Sequence, residues 1–160
     1  MHSTRFFSEE SAIMDERIKE HLKHLNKYYL LLLDSRKLPY ESFINDPIRY
    51  GSTERFLHLA IESCLNIGNR LLSLYQFSKP VTTPDTYADI FKEMNRLGVV
   101  DDDFLQRLIK MAGFRNRLVH LYWDIDKETV YGFLQNNLDD FKLFQRNVVA
   151  YLSQNKIANA

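Results

Sequence analysis

The chain has 160 residues, 45% hydrophobic and 26% charged, which is one domain's worth of ordinary globular composition. Its 21 basic and 21 acidic residues cancel, which excludes a coat protein that holds nucleic acid by bulk positive charge and leaves room only for a local basic patch or a protein partner. Five Gly and four Pro supply few turns, and the sequence has no run of roughly 18 apolar residues that would span a membrane, so a single all-helical domain over residues 1–160 is expected, without membrane contact.

The first helix is expected to begin near Ser8, with Glu9 and Glu10 in its first turn, where a hydroxyl cap and early acids suit a helix N-terminus. Ile18, Leu22, Leu25, Tyr29 and Leu32 then recur at spacings of four and three, an apolar stripe of the bundle type. The stretch Asp34–Pro39 breaks the pattern, and residues 40–45 read as a short turn of helix. Asp46-Pro47 reads as an N-cap followed by proline at the first helical position. A long second helix runs from there to about Phe77, with Phe56, Ala60, Cys64, Ile67, Leu71 and Leu74 on its apolar face. Cys64, the single cysteine, reads as a buried thiol on that face.

Residues 79–85, with two prolines, read as a loop. A shorter helix over about 85–97 carries Tyr87, Ile90, Phe91, Met94 and Leu97, and Gly98 stands where a C-terminal cap belongs. Asp101, Asp102 and Asp103 open the next helix. Three consecutive acids suit the macrodipole, and they point in three directions, which is poor geometry for a shared cation. Phe104, Leu105, Leu108, Ile109, Ala112 and Val119 continue that helix's apolar face. One last helical region is expected over about 127–154, with Leu134, Leu138, Phe141, Val148 and Leu152 as its stripe. The sum is an antiparallel four-helix bundle plus a short extra helix.

Chemistry concentrates in Gly113-Phe114-Arg115-Asn116-Arg117-Leu118-Val119-His120-Leu121-Tyr122. This segment resembles the HEPN superfamily's R-x4-6-H signature, in the R-x4-H-x-Y form of HepT-like ribonuclease toxins. Arg115, His120 and Tyr122 occupy the three named positions, and Asn116 supplies the polar residue that follows the arginine. The stretches Phe56 to Asn69, Tyr87 to Val100 and Asp124 to Tyr131 also resemble that family, so the likeness spans nearly the whole chain. It implies a HEPN-like fold, a homodimer, an RNA substrate and a partner antitoxin of the minimal nucleotidyltransferase (MNT) kind. It further implies that Tyr122 accepts AMP from that antitoxin. Separately, Met1 to Phe7 lack the apolar stretch of a secretory signal, so a cytoplasmic location is expected.

Spacing adds a constraint. On a regular helix residues five apart lie about 140° apart, so Arg115 and His120 do not share a face. Either the helix distorts or ends near His120, or a second copy of the chain completes the site. The resemblance favours the second copy, with two motifs facing one cleft. RNA carries its own nucleophile in the 2′-hydroxyl, so the protein need only move protons and stabilise phosphate charge. His120 suits acid or base work at neutral pH, and Arg115 keeps its charge and grips phosphate through a planar fork. No metal or other cofactor is expected.

Glu62, Asn66 and Asn69 form a polar stripe on the second helix, expected to orient Arg115 or Asn116 rather than to react. Arg117 reads as a solvated neighbour. His58 with Glu62 reads as a surface pair, and His21 with His24 as a solvated face lacking a third zinc ligand. A second reading of the chain is a non-catalytic helical module that dimerises and binds a nucleotidyltransferase partner. A nucleotide-binding accessory domain is a third.

Overall fold

The protein's structure, a computed structural model, describes residues 14–75, 84–120 and 126–155. Seven helices are described: α1 Glu16–Arg36, α2 Tyr40–Ile44, α3 Pro47–Tyr75, α4 Tyr87–Leu97, α5 Asp102–His120, α6 Lys127–Asn136 and α7 Asp139–Gln154. Among the described residues there is no strand, and no helix is long and apolar enough to cross a membrane. The bundle's arms are α1, α3, α5 and the broken pair α6–α7, with α1 lying along α3 as the principal packing.

The expected stripes are the core. Ile18, Leu22, Leu25, Tyr29 and Leu32 of α1 are all buried, as are Ala60, Cys64, Ile67 and Leu71 of α3. Burial pushes the Cys64 thiol well above its ordinary range, which makes it an inert packing group. Phe43 from the short α2, Phe91 from α4, Phe104 from α5 and Phe141 and Phe144 from α7 complete the interior. The rings of Phe114 and Phe133 stack 4.4 Å apart, tying α5 to α6.

Helix ends follow the side chains available. Asp46 accepts the Arg49 N–H at 3.0 Å, ahead of Pro47. Asp101 accepts the Phe104 N–H at 2.8 Å, so the first of the three acids is a cap and the next two face the macrodipole. Gly98 adopts the left-handed conformation, φ 91°, which a side chain would oppose, and closes α4.

Two boundaries differ from the sequence expectation. The helix carrying the first stripe starts at Glu16, because Asp15 is extended and its carboxylate accepts the N–H groups of Arg17 and Ile18. The start expected near Ser8 lies outside the described residues. The last helical region is not continuous. Asn137 leaves helical geometry at φ −124° and caps α6, Leu138 turns the chain, and Asp139 and Asp140 open α7. The break is anchored: Tyr29 and Arg36 of α1 both donate to Asp139, at 3.1 and 3.2 Å, and Arg107 of α5 pairs with the buried Asp140. The expected loop at 79–85 falls largely outside the described residues, as does the end of the second helix beyond Tyr75.

Candidate functional site

Arg115 sits on α5 with Phe114 and Met111, which are buried against the core, and its own side chain is buried too. Burying a guanidinium demands a partner. That partner is Glu62 of α3, whose Oε1 accepts from Arg115 Nε at 2.6 Å and Nη2 at 2.5 Å. Tyr87, at the first turn of α4, lays its ring over the guanidinium with 4.2 Å from Cζ to the ring centre. Nη1 reaches Asn116 Oδ1 at 3.4 Å, long for a hydrogen bond. Three helices therefore fix one cation: α5 supplies it, α3 holds an edge and α4 covers a face.

The network continues along α3. His58 Nε2 lies 3.4 Å from the same Glu62 Oε1, and Arg55 Nη1 lies 3.2 Å from His58 Nδ1. An arginine can only donate, so Nδ1 accepts and the ring proton sits on Nε2, directed at Glu62. Burial holds His58 below the usual histidine range; Glu62 opposes this, and Arg115 and Arg55 add to it. The neutral ring fits both of its contacts. The expected pairing of His58 with Glu62 is present, but it is less exposed than a surface pair. His58 and Glu62 are both partly buried and belong to the cluster around Arg115, because the i, i+4 spacing points both toward α5.

The other expected residues divide. Asn116 meets Arg115, whereas Asn66 and Asn69 are exposed, so the polar stripe contributes through Glu62. Arg117 is exposed. His120 is the last residue of α5, and its side chain lies outside the described structure; Tyr122 lies outside the described residues. Helix α5 is continuous from Asp102 to His120, so both motif positions, five residues apart, fall within one helix. His24 pairs with Glu20 at 3.4 Å, and no group of three potential metal ligands exists among the described residues. Sequence reasoning missed Tyr87 and Arg55. Tyr87 counted simply as part of an apolar stripe, and only the packing of α4 on α5 reveals its contact.

Comparison with known proteins adds the following. A family model described as ribonuclease HepT-like matches residues 18–148. The tRNA nuclease HepT of Aphanizomenon flos-aquae is 28% identical over 146 residues, 89% of this chain and 92% of that protein. The mRNA nuclease HepT of Shewanella oneidensis is 26% identical over 88 residues, 55% of this chain and 63% of that protein. Among solved structures, the tri-AMPylated Shewanella oneidensis HEPN toxin in complex with MNT antitoxin matches with a TM-score of 0.76 at 22% identity, over 86% of this chain and 99% of that one. A cytosolic Bacillus subtilis protein of unknown function, YutE, matches with a TM-score of 0.73 at 23% identity, over 86% of this chain and 89% of that one.

Proposed function

The chain belongs to the ribonuclease HepT-like family, and from that membership we propose that it is an endoribonuclease, the toxin of a toxin–antitoxin pair whose antitoxin is a minimal nucleotidyltransferase. The observation that carries the reading is the clamped arginine: Arg115 is buried, oriented by Glu62 and Tyr87, and shares α5 with His120. A cation fixed before substrate arrives needs no reorganisation when charge develops on phosphate. In this reading Nη1, whose contact with Asn116 is long, is the corner of the guanidinium that grips a phosphate oxygen.

The reaction follows from RNA's own chemistry. The 2′-hydroxyl attacks the adjacent phosphorus, losing its proton to a base. The P–O5′ bond breaks, and an acid protonates the leaving oxygen. His120 takes the proton-transfer role and Arg115 stabilises the transition-state charge. Since the two lie on different faces of one helix, a homodimer places two copies of the motif on one cleft, and its two histidines supply base and acid. This chemistry requires no metal. Both tRNA and mRNA are substrates of relatives, and cellular RNA of either kind fits the proposal.

Tyr122, two residues beyond His120, is the proposed AMP acceptor. A phosphate and an adenosine there would occupy the cationic site and exclude RNA. A mass increase of one AMP on Tyr122 after incubation with the antitoxin and ATP is the expected sign; modification confined to other residues refutes the assignment.

The primary test is RNA cleavage in EDTA by wild type, Arg115→Ala and His120→Ala at matched folded fractions. Cleavage by wild type alone supports the reading. No cleavage by well-folded, unmodified dimer favours the non-catalytic binding module, a possibility the net charge of zero keeps in view.

A further inference from the structure

The structure leaves one aromatic ring partly exposed beside the clamped arginine, which covers one of its faces. The large hydrophobic side chains exposed among the described residues are Leu30, Ile48 and Tyr87, the last 38% exposed. Tyr87 alone of these adjoins the candidate site. Its helix does not need it for the core, since Ile90, Phe91, Met94 and Leu97 already bury α4's apolar face. Its backbone is fixed, because Thr86 and Asp89 form a reciprocal capping box, each accepting the other's N–H at 3.2 and 3.1 Å.

We propose that Tyr87 is a nucleobase platform, on which a base of single-stranded RNA stacks while Arg115 holds a neighbouring phosphate. The inference rests on the ribonuclease reading and adds a substrate-positioning residue to it. A base hangs from its phosphate through one sugar, so a phosphate gripped by Arg115 brings a base within reach of a ring 4.2 Å from that guanidinium. Unpaired bases are commonly held in this way, on an aromatic face next to a cation, and every base has a face to offer. The phenol suits a half-exposed position, where its ring can stack and its hydroxyl stay in water.

The test uses the full, unmodified chain and single-stranded 2′-O-methyl oligoribonucleotides, which lack the attacking hydroxyl and are not cleaved. Each carries 2-aminopurine at a different position, whose fluorescence is quenched when it stacks. Wild type quenches at one position of the bound strand. Tyr87→Leu loses that quench and binds about 10-fold more weakly, and Tyr87→Met, a second ringless variant, behaves alike. Tyr87→Phe keeps the quench. Unchanged quench and affinity in both ringless variants, while wild type cleaves RNA and Arg115→Ala does not, overturns the platform and leaves the ribonuclease standing. Wild type that neither binds these strands nor cleaves RNA overturns both.

Discussion

Glu62 carries more of the site than any residue beside Arg115 itself. One of its oxygens takes two arginine N–H groups and faces the His58 Nε2 proton. Glu62→Ala leaves the buried guanidinium without that partner, and partial exposure of the pair moderates the cost to about 1–2 kcal/mol, read by urea denaturation. Cleavage should fall about 10- to 100-fold through misplacement of Arg115. Loss of neither stability nor activity would mean that Glu62 does not hold the arginine. His58 gives the cluster a pH signature. Its folded pKa lies below the ordinary 6.5, chiefly through burial. The unfolded chain therefore takes up a proton first as pH falls, and stability, full above about pH 6.5, declines below it toward the folded value. His58→Gln should flatten that decline between about pH 7 and 5 in urea titrations. His21, also depressed by burial, leaves a residual slope in both proteins. Identical pH slopes in wild type and variant would remove His58 from the account.

At the scale of elements, two glycines of α3 make opposite predictions. A Cβ at Gly68 would lie 2.5 Å from Ile90 Cγ2 and 3.0 Å from Met94 Sδ on α4. The methionine can move, but the isoleucine methyl is tied to a stiff branched carbon. Gly68→Ala should therefore cost about 1–2 kcal/mol, the strain outweighing the gain in helix propensity. Gly51, with nothing within 4 Å of its Cβ position, should gain about 0.5–1 kcal/mol on substitution by alanine. Equal effects in thermal or urea denaturation would deny that α3 and α4 approach so closely. Apolar stripes at spacings of three and four lay open α1, α3, α4 and α5, and Asp46-Pro47 and Gly98 marked ends correctly. The division of α6 from α7 stayed hidden because Leu134 and Leu138 keep helical spacing across it, while the anchors of the break, Tyr29, Arg36 and Arg107, are distant in the chain. Arg115 was legible from its motif and Glu62 from a polar stripe. Tyr87's role was not, since it depends on α4 packing beside α5, a tertiary fact without a local signal.

The whole molecule raises the question of how many chains make one site. Arg115 points inward from α5 toward α3 and α4, and His120 follows five residues on, at the end of the same helix; on a regular helix that spacing puts two positions about 140° apart. In the proposed reaction, Arg115 is the fixed cation and His120 the proton-transfer group, and that spacing on one helix does not bring the two together. If two chains share a cleft, each cleft needs both of its histidines, one as base and one as acid. Mixing wild type with His120→Ala then has a defined consequence. With equal amounts co-refolded to random dimers, only about a quarter of the dimers are wholly wild type, so activity per total chain falls to about a quarter. Independent sites within each chain would leave about half, because every wild-type chain would go on working whatever its neighbour. The curve of activity against wild-type fraction separates the two across its range, bowed downward for a shared cleft and straight for separate sites. A straight line from verified mixed dimers would return both catalytic roles to one chain and require the segment after His120 to bring that histidine back toward Arg115.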